Sequence, residues 1–115
     1  MMKKFHFRVR EGANPLGPRI DFNLPAGETL IDYPLYETDG TATGIHVILS
    51  LEIAELGSTV IFKATRQDGS TDTFPYVINR VPYLFNIGLC DTTKLAVSAS
   101  GPLKGYYQIG GTNFC

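Results

Sequence analysis

Tryptophan is absent from this 115-residue chain, and histidine and cysteine occur only twice each. The missing tryptophan removes the side chain that carbohydrate modules most often expose for stacking on sugar rings. Cys90 and Cys115 allow one disulfide at most. No Cys-x-x-Cys or His-x-x-x-His spacing occurs, and such spacings are how metal-binding loops bring several ligands to bond distance. No metal or cofactor is therefore expected. A run long and apolar enough to cross a membrane as a helix is also missing. Lys3 and Lys4 are followed by Phe-His-Phe-Arg-Val-Arg rather than an apolar stretch, so no secretory leader is expected. Residence in a reducing cytosol, or in a virion assembled there, follows as the expectation, with both thiols free.

Charge is scarce too. Asp, Glu, Lys and Arg make up 18% of the chain, below the roughly 25% of ordinary soluble domains. The net charge of −1 is too balanced for a general nucleic-acid or membrane-surface binder. Its distribution is uneven. Residues 1–19 sum to +4, residues 20–57 carry seven acids and no base, and the remainder sums to +2. Segments of opposite sign can pair within one fold, or between copies and partners.

Alternation with a period of two dominates what is present, and this is the signature of half-buried strands. Phe5, Phe7 and Val9 alternate with Lys4, His6, Arg8 and Arg10; Ile20, Phe22 and Leu24 alternate with Asp21 and Asn23, closed by Pro25-Ala26-Gly27. Leu30 to Tyr36 is extended, but Pro34 restricts it to an edge or a bulged strand. Residues 45–53 read as a central strand, with Ile48 interrupting its polar side and residues 54–57 as a short helical turn. Residues 59–66 and 71–79 form a hairpin about Gln67-Asp68-Gly69-Ser70, since Asp-Gly between β-branched runs favours a tight reversal. Residues 83–89, 94–100 and 106–109 supply the closing strands, with Gly101-Pro102 as a turn. The expected fold is one all-β domain over residues 1–115, an antiparallel β-sandwich of about eight strands. A jelly roll is one arrangement that fits, because the long early loops favour crossovers over a simple meander.

The chemistry-bearing residues do not assemble into a catalytic signature. His6, His46, Cys90 and Asp91 are the candidates for a nucleophilic or metal site, but a Cys–His pair needs a polarised, accessible thiol. Cys90 follows an apolar run instead. Residues 68–72 set oxygen ligands at alternate positions without the closing acid of a calcium loop. A non-enzymatic protein is expected. Lys4, His6, Arg8 and Arg10 share one face of the first strand, without aromatics interleaved for base stacking. A solvated or acid-paired face is the first expectation for it, an intersubunit contact the second, and nucleic acid the last.

Tyr106 and Tyr107 must face opposite sides of their strand, one towards the core and one outward. The tail ends in Phe114 and Cys115. These eight residues (Lys4, His6, Arg8, Arg10, Tyr106, Tyr107, Phe114 and Cys115) are the expected partner-binding set. The leading expectation is a structural assembly module. Its most concrete form is a small virion protein, capsid-decorating or minor capsid, that self-associates or docks on a larger shell protein. The alternative is a small ligand- or carbohydrate-binding sandwich that uses Tyr106 or Tyr107 with loops 11–18 and 37–44.

Overall fold

A computed structural model describes residues 17–112. The expected first strand around Phe5 to Val9 and the tail residues Phe114 and Cys115 lie outside the described residues. Eight strands run in chain order: β1 (Ile20–Leu24), β2 (Thr29–Glu37), β3 (Thr43–Ala54), β4 (Thr59–Thr65), β5 (Thr71–Val77), β6 (Tyr83–Thr92), β7 (Lys94–Ser100) and β8 (Leu103–Thr112). They form two antiparallel four-stranded sheets, β1-β8-β3-β6 and β2-β7-β4-β5. Only β4 and β5 are consecutive neighbours within one sheet; every other connection crosses between sheets. That order is the jelly-roll form of the β-sandwich.

Side-chain alternation decides which face of each strand turns inward. On β3, Ile45, Val47, Leu49 and Leu51 are buried, and Val60, Phe62 and Ala64 of β4 and Leu95, Val97 and Ala99 of β7 meet them from the opposite sheet. The centre of this core is aromatic. Phe62 of β4 lies edge-on to Phe85 of β6 at 5.7 Å and to Tyr76 of β5 at 5.9 Å, and Tyr76 meets Phe85 at 5.1 Å. Tyr83 then stacks on Phe85 at 4.6 Å. Tilted and offset rings at such separations add to ordinary apolar burial, and this cluster reaches from one sheet to the other.

The expected elements map closely onto the observed ones. β3 is central, between β8 and β6. Pro34 lies on β2, which is an edge strand with register shifts on both sides of the Tyr33–Pro34 pair. Residues 83–89 form most of β6, an edge strand with one face towards the core. The helical turn expected at residues 54–57 is not there. Gly57 has φ of +89°, which a right-handed helix excludes, and Ser58 N–H and Oγ both bond back to the Glu55 carbonyl. The segment is a tight turn that carries the chain from one sheet to the other.

Two further positions set strand spacing. Gly105 of β8 passes so near β3 that a methyl group there would meet the Ser50 carbonyl oxygen at 1.8 Å. At the β4–β5 reversal, Gly69 takes φ of +90° and donates to the Arg66 carbonyl. Asp68 Oδ1 accepts from both the amide and the hydroxyl of Ser70.

Phe62→Ala should cost roughly 3–5 kcal/mol, the usual penalty for deleting a fully buried aromatic ring. Denaturant unfolding measures this directly, and a loss below about 1 kcal/mol would show that the cluster does not join the sheets.

Candidate interaction surfaces

The crossovers sort the loops to two ends. At one end the β1–β2, β3–β4, β5–β6 and β7–β8 connections meet: Gly57 N–H bonds Ile78 O, Ile78 N–H bonds Ser58 O, and Gly101 N–H bonds Glu28 O. At the other end the β2–β3, β4–β5 and β6–β7 connections interlock. Thr38 N–H bonds Thr93 O and Thr93 N–H bonds Thr65 O, while Gln67 accepts from Ala42 N–H and donates to Gly40 O. Tyr36 and Thr43 share a 2.6 Å hydroxyl hydrogen bond that closes the base of the β2–β3 loop. This second end is tied by polar contacts and is largely satisfied internally.

The first end differs. Eight large apolar side chains are exposed among the described residues, and five of them belong to it: Ile53, Leu56, Val77, Val81 and Leu84, each 40–60% exposed. Local causes are visible. The bulge between Leu51 and Ile53 opposes Ile53 to Lys104, which turns Ile53 outward. Leu56 sits in the tight turn, and Val77 and Leu84 occupy outward positions on β5 and β6. Glu52, Glu55 and Arg80 flank these residues, and none of the three is in a salt bridge among the described residues. Scattered exposed apolar residues are ordinary, but a concentration rimmed by charge marks contact surfaces.

β8 of the β1-β8-β3-β6 sheet carries the tyrosine pair. Tyr107 is half-buried and packs against the core, with Phe22 at 6.5 Å. Tyr106 faces outward, and the Arg19 guanidinium sits 4.0 Å from its ring centre while also pairing with Asp21 at 3.1 Å. The expected division of the pair is therefore the observed one. A sugar stacking on Tyr106 would have to displace Arg19 or take the remaining face. Tyr106 pairs with Ser50 of β3, while Gly44, at the mouth of the 37–44 loop, pairs with Thr112. Six residues of strand, about 20 Å, separate Tyr106 from that loop, so the structure does not bring them together. From loop 11–18, Gly17 lies against β8, donating to Ile109 O and accepting from the Gln108 side chain.

His46 hydrogen-bonds Asn86 on the same outer face, not a carboxylate or a thiol. Cys90 is disulfide-bonded, which corrects the expectation that it would stand as a free thiol. Sequence spacing could not reveal this, because only the fold decides what approaches β6. Among the described residues, no three His, Cys, Asp or Glu side chains converge as metal ligands, and no helix is long and apolar enough to cross a membrane. Lys4, His6, Arg8, Arg10, Phe114 and Cys115 lie outside the described residues. Of the acidic stretch 20–57, Asp21 pairs with Arg19 and Asp32 with Lys63. Glu28, Glu37, Asp39, Glu52 and Glu55 form no ion pair among the described residues.

The fold and these surfaces define a small all-β jelly roll with an apolar end. The chain matches no known protein family, no curated protein and no solved structure.

Burial raises the Tyr36 and Tyr107 phenols above their ordinary value of 10.0. A group whose folded pKa is raised contributes stability that is fully present below the unfolded pKa and is lost as pH rises through the folded one. Thermal melts should therefore fall as pH climbs past about 10, and Tyr107→Phe should flatten that alkaline limb. An unchanged limb in the variant would assign the alkaline loss to other groups.

Proposed function

We propose that this protein is a non-enzymatic structural module that works by assembly, most concretely a small virion protein that decorates or completes a larger shell. The observation that carries the reading is the apolar end. Burying a fully exposed Leu, Ile or Val side chain is worth roughly 1.5–3 kcal/mol. Five side chains that are each about half exposed offer roughly half of that apiece once covered. A free monomer gains nothing from holding them in water, whereas an assembled subunit does. Unpartnered charges on both sides of the end, Glu55 and Arg80, suit recognition of a complementary protein surface. The jelly roll adds a weaker, associational argument. It recurs in capsid subunits, but also in lectin domains and cupins.

The low overall charge agrees with a protein-contact role, while Tyr107, packed against the core, is not available for one. The test follows the full chain through gradient sedimentation of the particles formed in its producing cells. It should travel with a large particle at a fixed ratio, and Leu56→Glu with Val77→Glu should return it to the slow fractions while its own melting temperature changes little. Wild-type chain found solely as a free, slowly sedimenting species would overturn the reading.

A further inference from the structure

Each sheet has two edges, and three of the four edge strands among the described residues carry features that block further pairing within the stretch they could offer. β1 is five residues long and includes Asp21. β2 holds Pro34, two register shifts and Asp32 at φ of +49°. β5 contains Pro75 and Asp72. Proline, bulges, charge and shortness are the devices by which soluble proteins keep edges from adding strands. β6 has its charge, Asp91, and its register shift only beyond Leu89, and lacks such features over residues 83–89. Tyr-Leu-Phe-Asn-Ile-Gly-Leu has no proline and no charge, and its register against β3 runs unbroken from Leu51–Tyr83 to Ile45–Leu89.

We infer that β6 is the site at which a second copy of this chain adds, antiparallel to its own β6, across a two-fold axis normal to the sheet. This names the partner under the assembly reading and rests on it. Residues directly opposite one another must share a face, so only even registers are allowed. The register centred on Asn86 has two complementary features. It sets outward Leu84 of each copy beside Gly88 of the other. Leu84 is 56% exposed, and a Cβ built on Gly88 would meet nothing within 4 Å. The protruding side chain and the open place beside it are thus matched twice by the symmetry.

Charge agrees with the same register. Arg80 precedes the strand and Asp91 stands near its far end, its φ of +54° marking the bulge there. Neither makes an ion pair among the described residues. Counted outward from Asn86, the antiparallel register sets Arg80 of each copy opposite Thr92 of the other, one position from Asp91. A parallel pairing, by contrast, would align like with like. The product is one continuous eight-stranded sheet, β1-β8-β3-β6 followed by its two-fold image.

Sedimentation equilibrium of the full chain over a dilution series tests this. Wild type should be a dimer that dissociates on dilution. Leu84→Lys, which places charge on the edge, should weaken dimerisation about tenfold or more, with the unfolding midpoint of the monomer unchanged. Arg80→Asp and Asp91→Arg should each weaken it about fivefold, since two exposed pairs are lost per dimer, and the double exchange should recover most of the loss. Wild type monomeric at every concentration overturns the inference, as does a dimer indifferent to both Leu84→Lys and the charge exchanges. A chain monomeric alone that still travels with large particles through Leu56 and Val77 removes the β6 pairing and leaves the assembly reading standing. Failure of both removes both.

Discussion

The contact of Phe62 with Phe85 and Tyr76 joins two sheets that share no backbone hydrogen-bond ladder. The ladders run within each sheet, so what holds the pair face to face is the burial of inward side chains, and this cluster is where rings of both sheets meet. Its position matters as much as its size. Phe85 is on β6 and Tyr76 on β5, the edge strands on one side of the sandwich. Fixing them fixes the β5–β6 connection, and with it the outward aim of Val77, Val81 and Leu84. The exposed apolar end is therefore a consequence of the core: the strand that brings Phe85 inward necessarily turns Leu84 outward.

A sandwich of this size closes its interior but not its periphery. The end carrying the β2–β3 and β4–β5 loops is finished by its own polar bonds, from Tyr36–Thr43 to the Gln67 side chain spanning Ala42 and Gly40. Among the described residues, unpaired charges lie at both ends, with Glu37, Asp39 and Asp91 at the polar one; the opposite end has backbone ties but leaves apolar side chains outside. This asymmetry is what separates a finished surface from one that gains by being covered.

Much of this arrangement is legible in the residue order, and the reason is local. β3 and β7 are legible because each turns one alternating set, Ile45, Val47, Leu49 and Leu51 or Leu95, Val97 and Ala99, into the core. Asp68-Gly69 specifies its reversal through a positive φ and a side-chain acceptor. Pro34 marks an edge because it cannot donate to a ladder. What escaped the sequence depends on distant approach. Ile48, which seemed to break the alternation, is a half-buried residue on the outer face, between Asn86 and Gln108 of the flanking strands. Thr92, fully buried yet polar, is tolerated because its hydroxyl donates to the Cys90 carbonyl. Nothing in the sequence foretold that Gly105 lies against Ser50, that Cys90 is not a free thiol, or that Arg19 covers Tyr106. The apolar end was equally hidden, since Ile53, Leu56, Val77, Val81 and Leu84 are spread over 32 residues of chain and meet only through the crossovers.

Assembly through one side of the sandwich makes a definite demand on backbone protection. Hydrogen exchange measured residue by residue, on dilute free chain and on the concentrated or particle-bound state, reads it directly. The account predicts added protection in residues 81–89 and around Leu56 in the associated state, with the β2–β3 and β4–β5 loops unchanged. Protection gained at those polar loops instead, with residues 81–89 exchanging alike in both states, would contradict it.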